Sequence, residues 1–138
     1  MFTKILVPTD FSSSADAAIA LARENFPNAA CRLLHVLDPK RVADPLAGAA
    51  PVRAEREALA SELAARLDEV ARDGDERVVE VGAPVEVILA DAEAWRADLI
   101  VMGTHGRTGL AHFLNGSVAE RVVRRARRPV LIAHDPSD

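Results

Sequence analysis

The sequence predicts an α/β fold built on a mainly parallel β-sheet, and three observations support this prediction. Short apolar runs without polar alternation are typical of strands buried on both faces, and the first is the run 4–7, which Pro8 stops. Segments in which apolar residues recur at helical spacing lie between these runs. The alternation of strand and helix indicates parallel strands joined by right-handed crossovers.

The amino-terminal half contains two predicted strands and two predicted helices. After the first strand, Ser13 and Asp16 fit the S-x-x-D capping box that opens a helix, and Pro27 limits that helix. A second strand is predicted over 32–37, and the proline-containing segment 38–52 is predicted to be a loop. A longer helix follows, with apolar residues on one stripe at Leu59, Leu63, Leu67 and Val70.

The carboxyl-terminal half contains three predicted strands and two predicted helices. Pro84 suits the first turn of a helix, and Pro129 ends the last one. A glycine-rich loop over 103–116 separates the fourth strand from the last helix. The predicted strands are 77–81, 98–102 and 130–133.

Composition indicates one globular domain over residues 1–138, with 49% hydrophobic and 28% charged residues. The net charge of −4 argues against a nucleic-acid partner. Cys31 is the single cysteine and cannot form an intrachain disulfide. No signal peptide and no apolar run long enough to span a bilayer is expected. We therefore expect a cytoplasmic protein without a membrane partner.

The strongest local signal is Gly103-Thr104-His105-Gly106, followed after nine residues by Gly116-Ser117. It lies between a predicted strand and a predicted helix. Glycines allow main-chain N–H groups to approach a phosphate closely, and the helix that follows offers unpaired N–H groups and a positive dipole end. The alternative is a glycine-rich turn without a ligand, and the loop alone does not decide between the two.

The position of the strand ends gives a second signal. In open α/β sheets, ligands bind at the carboxyl ends of the strands where the strand order reverses. The first strand ends at Pro8-Thr9-Asp10 and the fourth at Met102-Gly103. If these strands are neighbours, the Asp10 carboxylate faces the glycine loop.

The motif Gly103-x2-Gly106-x9-Gly116-Ser117 resembles the nucleotide-binding motif of ATP-binding universal stress proteins. The resemblance extends over nearly the whole chain and implies a five-stranded parallel sheet in the order 3-2-1-4-5, the adenine nucleotide alpha-hydrolase-like fold. Asn115 stands where an apolar residue is more usual. The other matching segments are 5–12, 82–84, 97–107, 116–122 and 128–131.

The resemblance also implies site residues and partners. The adenosine end would be held by Pro8, Thr9, Asp10 and the main chain of Val36. The expected cofactor is ATP, with Mg²⁺ or Mn²⁺ bridging the phosphates, and a homodimer is expected through Val130–Ala133. Ribose and phosphates would be held by Met102, Gly103, Gly106, Gly116, Ser117 and Val118.

Some side chains keep two interpretations. Arg107 lies inside the glycine loop and either reaches the phosphates or is an exposed loop cation. No metal site of the protein's own is expected, because metal-ligand spacing is lacking among His35, His112, His134 and Cys31. The last helix carries a basic stripe that fits a solvated face better than a nucleic-acid or partner surface: Arg121, Arg124, Arg125 and Arg128.

The leading functional hypothesis is an ATP-binding stress-response or signalling module that changes its affinity for an unknown protein partner. Little or no catalysis is expected, because the only lysines are Lys4 and Lys40 and neither lies in the glycine loop as a Walker-type lysine would. The alternatives are a slow ATPase or adenylate-using enzyme, and an interaction protein with an empty nucleotide site.

Overall fold

The computed structural model describes residues 1–39, 53–104 and 116–134. Strand and helix alternate along the chain as predicted. The elements are β1 (Lys4–Pro8), α1 (Ser13–Asn25), β2 (Ala30–Leu37), α2 (Arg53–Val70), β3 (Glu76–Val81), α3 (Pro84–Trp95), β4 (Leu99–Gly103), α4 (Gly116–Arg125) and β5 (Val130–Ala133).

The five strands form one sheet in the order β3-β2-β1-β4-β5, and every neighbouring pair is parallel. This confirms the order 3-2-1-4-5. The strand order reverses between β1 and β4, because the chain builds outward from β1 in one direction and from β4 in the other. That boundary is the switch point at which α/β sheets bind ligands.

Two helical layers cover the sheet and explain why the central strands lack polar alternation. Leu6, Leu34 and Ile100 pack against residues of α3 and α4 such as Ile88 and Val122. The intervening strand residues point to the opposite face and pack against α1 and α2; they include Ile5, Val7, Leu33, Leu99 and Val101. All five residues of β4 are buried.

The N-cap of α1 lies one residue earlier than the sequence pattern predicts. Ser12, not Ser13, is the N-cap residue, and its Oγ accepts a hydrogen bond of 3.2 Å from the main-chain N of Ala15. The prediction was wrong because a preceding turn fixes Ser12. The N–H of Ser12 donates to Oδ1 of Asp10 over 3.0 Å, which sets Ser12 at the helix entrance.

The amino end of the sheet is closed by polar contacts. The Asp98 carboxylate accepts hydrogen bonds from the main-chain N of Thr3 (2.9 Å), from Oγ1 of Thr3 (3.0 Å) and from the main-chain N of Lys4 (3.0 Å). Lys4 Nζ donates to the carbonyl oxygen of Trp95 over 3.1 Å. Lys4 is therefore at the end of β1 remote from the switch point.

A second polar group at the same end links β2, β3 and α3. The Arg32 guanidinium donates two hydrogen bonds of 2.9 Å to the Asp91 carboxylate and one of 2.9 Å to Glu76. Glu76 also accepts a 2.7 Å hydrogen bond from Nε1 of Trp95. Such bidentate arginine contacts fix both the distance and the orientation of the elements they join.

The predicted basic stripe is largely occupied by ion pairs, although α4 ends at Arg125 and Arg128 lies after the helix. Arg124 pairs with Glu120 over 2.8 Å. Arg125 binds both carboxylate oxygens of Glu86, at 2.7 and 3.0 Å. Arg128 pairs with Glu93 over 3.2 Å. These pairs neutralise much of the stripe, which favours the interpretation as a solvated face. Among the described residues, no helix has the length and apolar character needed to cross a membrane.

Candidate functional site

The sheet separates between β1 and β4 at its carboxyl end. Pairing of these two strands is limited to Ile5 with Leu99 and Leu6 with Ile100. On either side the pairing continues further, to Pro8 in the β1–β2 ladder and to Gly103 in the β4–β5 ladder. The last residues of β1 and β4 therefore flank an opening at the switch point of the sheet.

The turn after β1 places a carboxylate at this opening. Thr9 is completely buried, and its Oγ1 accepts a 3.0 Å hydrogen bond from the main-chain N of Phe11. Oδ1 of Asp10 accepts the N–H of Ser12. Oδ2 of Asp10 is also buried, yet it accepts no hydrogen bond within the described part of the chain. A buried polar atom without a partner calls for one, and a ligand hydroxyl is a suitable donor.

The main chain of Val36 faces the same opening. In a parallel ladder, the N–H and C=O of one residue point to the same neighbouring strand, and those of the next residue point to the strand on the other side. In β2 the residues that face β1 include Ala30 and Leu34, because Ala30 N donates to Thr3 O and Leu34 O accepts from Thr9 N, each over 2.8 Å. Val36 follows in the same series, two residues beyond the last β1 pair. Its N–H and C=O therefore point to where β1 has turned away.

Gly103 has a packing role that the sequence analysis did not foresee. A β-carbon at this position would collide with the main-chain carbonyl of Ser14 and lie 2.8 Å from the main-chain N of Ala15. The first turn of α1 thus rests directly on the end of β4. Gly103 is required for this close approach, whether or not it also contacts a phosphate.

The remaining predicted residues are placed in different ways. The Met102 side chain is completely buried in the core beneath α3 and α4, which leaves only its main chain near the opening. Gly116 and Ser117 are the first residues of α4, and Val118 packs partly buried against the same core. The predicted residues Gly106 and Arg107 lie outside the described residues.

Three side chains at the opening were missed by the sequence analysis. The rings of Phe11 and His35 lie 4.8 Å apart between centroids, and the guanidinium carbon of Arg66 lies 4.2 Å from the Phe11 centroid. Nδ1 of His35 lies 2.8 Å from the carbonyl oxygen of Thr9. In the sequence, the one sign of this group is His35, a polar residue within the apolar run 33–37 of β2.

Charged groups of both signs act on the residues at the opening. Burial lowers the pKa of His35; the hydrogen bond to Thr9 and the charge of Asp10 oppose this effect, and the charge of Arg66 adds to it. Burial, together with the nearby charge of Asp10, raises the pKa of Asp16. The described residues contain no group of three or more His, Cys, Asp or Glu side chains able to hold a metal.

The sequence is similar to that of known proteins over nearly its whole length. The model of the Universal stress protein family matches residues 1–134. Universal stress protein MJ0577 of Methanocaldococcus jannaschii is 33% identical over 153 aligned residues, which cover 96% of this chain and 94% of that protein. Universal stress protein MJ0531 of the same organism is 37% identical over 147 residues, covering 99% of this chain and 84% of that protein.

Solved structures show the same architecture. The structure of MJ0577 superposes with a TM-score of 0.79 at 30% identity, covering 97% of this chain and 96% of that one. A universal stress protein solved in complex with cAMP superposes with a TM-score of 0.64 at 28% identity, covering 97% of this chain and 98% of that one. The adenine nucleotide alpha-hydrolase-like fold implied by the sequence resemblance is thereby confirmed.

Proposed function

The chain belongs to the universal stress protein family, and we propose that it binds ATP at the opening between β1 and β4. One observation carries this proposal: the buried Oδ2 of Asp10, which no donor satisfies within the described residues, lies in the turn that borders the separated strands. A relative with 28% identity was solved with cAMP, which supports an adenine nucleotide as the ligand class.

Each end of the nucleotide has a matching group. Oδ2 of Asp10 would accept a hydrogen bond from a ribose hydroxyl. The main-chain N–H and C=O of Val36 would bind the edge of the adenine, which presents one acceptor and one donor side by side. Pro8 and Thr9 would form the adjoining wall. These groups select an adenosine by shape and by complementary hydrogen bonds.

The phosphates would lie toward β4 and α4. The main-chain N–H groups at the start of α4 are unpaired within the helix and carry the positive end of its dipole. Their position after the glycine-rich segment is suited to an anion. The residues we assign to the ribose and phosphates are Met102, Gly103, Gly106, Arg107, Gly116, Ser117 and Val118.

We assign a divalent cation to the phosphates and not to a site of the protein's own. Mg²⁺ or Mn²⁺ commonly takes most of its ligands from nucleotide oxygens and water. We name no protein ligand set for it, because the described residues hold no candidate cluster. When bound, the cation would neutralise phosphate charge.

The function that follows is a nucleotide-dependent stress-response or signalling module in the cytoplasm, where ATP is abundant. Occupancy of the site would alter affinity for an unidentified protein partner. Little or no hydrolysis is expected, because Lys4 binds at the remote end of the sheet and the glycine loop contains no lysine.

Calorimetric titration with ATP tests the proposal on the wild type and on Asp10→Asn. This variant keeps an oxygen for the Ser12 cap but replaces the buried acceptor, so we expect an affinity loss of about tenfold or more, or roughly 1.4 kcal/mol. The matched control is Asp73→Asn, an exposed aspartate in the turn at the amino end of the sheet, which should bind normally. Wild-type protein that shows no heat and no thermal stabilisation with ATP contradicts the proposal.

We also propose that the protein forms a homodimer through β5. This strand is at one end of the sheet order, and within the described part of the chain it pairs on one side only, with β4. Its side chains are apolar, and Val130, Leu131 and Ile132 are only partly buried. An apolar strand with an unpaired edge readily pairs with a second copy.

A further inference from the structure

A stack of three side chains borders the proposed site and joins three elements. The ring of Phe11, in the turn after β1, lies tilted by 32° against the imidazole of His35 on β2. The guanidinium carbon of Arg66, on α2, lies 4.2 Å from the centroid of the same ring. The turn that carries Asp10 is therefore held between a strand and a helix.

The backbone at Phe11 shows that this turn is constrained. Its φ is 66°, a region that residues with a β-carbon seldom adopt. Such conformations persist where the surrounding contacts determine them, and they occur frequently at ligand sites. Here the stack and the hydrogen bond from the Phe11 N–H to Oγ1 of Thr9 supply those contacts.

His35 also holds the main chain directly. Nδ1 lies 2.8 Å from the carbonyl oxygen of Thr9. A carbonyl oxygen only accepts, so Nδ1 carries the proton and donates it. His35 is 5% exposed, and among the described residues the charges of Asp10, from the turn, and Arg66, from α2, act on it. Burial lowers the pKa of His35, which favours the neutral imidazole.

We propose that His35 is a positioning residue for the nucleotide site: its Nδ1–H bond to the Thr9 carbonyl fixes the turn that presents the Asp10 carboxylate. The consequence for affinity rests on the proposed function. The fixing of the turn does not depend on any nucleotide.

Two substitutions separate the hydrogen bond from the packing of the ring. His35→Asn retains an N–H near the place of Nδ1 and loses the ring, whereas His35→Phe retains the ring and loses the donor. In calorimetric titration with ATP we expect His35→Phe to weaken binding about tenfold and His35→Asn to stay close to the wild type. Melting temperatures should follow the opposite order, because the phenyl ring keeps the stack with Phe11.

Amide hydrogen exchange in the nucleotide-free protein gives a readout that needs no ligand. The N–H groups of Phe11 and Ser12 are hydrogen-bonded within the turn. Their exchange should become about tenfold faster in His35→Phe and stay near the wild-type rate in His35→Asn.

The two measurements also separate the inference from the function. If affinity and exchange both follow the melting temperatures, His35 contributes packing alone and the inference is overturned. If the wild type binds no ATP, the proposed function fails, but the exchange measurement still tests the inference. Unchanged exchange in His35→Phe would then refute the fixing of the turn by His35, and faster exchange would support it.

Discussion

Close packing of main chain on main chain makes Gly103 sensitive to the smallest substitution. In Gly103→Ala the added methyl group would meet the main chain of Ser14 and Ala15, and neither atom belongs to a side chain that can rotate away. We expect a loss of about 2–3 kcal/mol in the free energy of unfolding, a typical cost of overpacking. Urea denaturation followed by the fluorescence of Trp95, the single tryptophan, measures it.

Gly116→Ala is the control for Gly103→Ala, because it adds the same methyl group at another glycine of the proposed site. Gly116 opens α4, and alanine is a better helix former than glycine, so stability should be kept. If the phosphates bind at this helix start, the added methyl should reduce ATP affinity in Gly116→Ala. Unchanged stability in Gly103→Ala would show that α1 can move away from β4.

Asp98 is expected to contribute to the loss of folding stability at acid pH. Burial acts to raise the pKa of this carboxyl, but the hydrogen bonds from Thr3 and Lys4 outweigh it and hold the pKa below its ordinary value. A depressed pKa in the folded state contributes stability above the unfolded pKa of about 3.9, and that stability is lost as the pH falls through the folded pKa.

Asp98→Asn should therefore lower stability at pH 7, by about 1–3 kcal/mol for hydrogen bonds to a charged acceptor. The difference from the wild type should shrink as the pH falls from about 5 through the folded-state pKa of Asp98. Chemical denaturation at a series of pH values tests both statements. A difference that stays constant over this range would show that the Asp98 charge makes no contribution.

At the scale of single elements, the edge of β5 determines whether two copies associate. Ile100 N donates to Pro129 O and Thr104 N donates to Ala133 O. The main-chain N–H and C=O groups of the odd-numbered residues of β5 therefore point toward β4. By alternation, the N–H of Ile132 points to the open edge.

Ile132→Pro should remove that outward N–H without breaking a bond to β4, and we expect the dimer to dissociate at least about tenfold more readily. Ile132→Thr keeps the N–H and serves as the control for the lost side chain. Analytical ultracentrifugation measures both. A monomeric wild type, or a proline variant that dimerises like the wild type, would contradict pairing through β5.

The elements themselves were largely predictable because each carries its own local signal. β1 and β4 are apolar without alternation since helices cover both of their faces, and this is visible in the sequence. The N-cap of α1 was misplaced because the deciding bond comes from Asp10 to the Ser12 N–H, a turn contact that competes with the helix pattern. Asp10 was correctly placed just after the first strand, because the apolar run that predicts β1 stops at Pro8.

The His35–Phe11–Arg66 stack could not be predicted in the same way. It depends on how α2 packs over β2 and on a left-handed backbone conformation at Phe11, and neither follows from spacing along the chain. The clash at Gly103 depends likewise on the distance between α1 and β4.

At the scale of the whole molecule, the two ends of the sheet differ in how their polar groups are hydrogen-bonded. At the amino end, Asp98 and the group around Arg32 make hydrogen bonds within the protein. At the carboxyl end, β1 and β4 separate and Asp10 keeps a buried oxygen without a partner in the described chain. Polar groups that are satisfied internally stabilise the fold, whereas an unsatisfied group gains from a ligand.

This division predicts that stability and affinity respond to different substitutions. The side chains of Arg32 and Asp91 are 18% and 9% exposed, and Arg32→Met would leave a mostly buried carboxylate unpaired. We expect a loss of about 3 kcal/mol in the free energy of unfolding, measured by circular dichroism in urea, with ATP affinity unchanged below the unfolding transition. Asp10→Asn should show the reverse, a weaker affinity and nearly wild-type stability. An Arg32→Met protein that remains folded but loses ATP binding would show that the two ends are coupled through β2, since that strand carries both Arg32 and Val36.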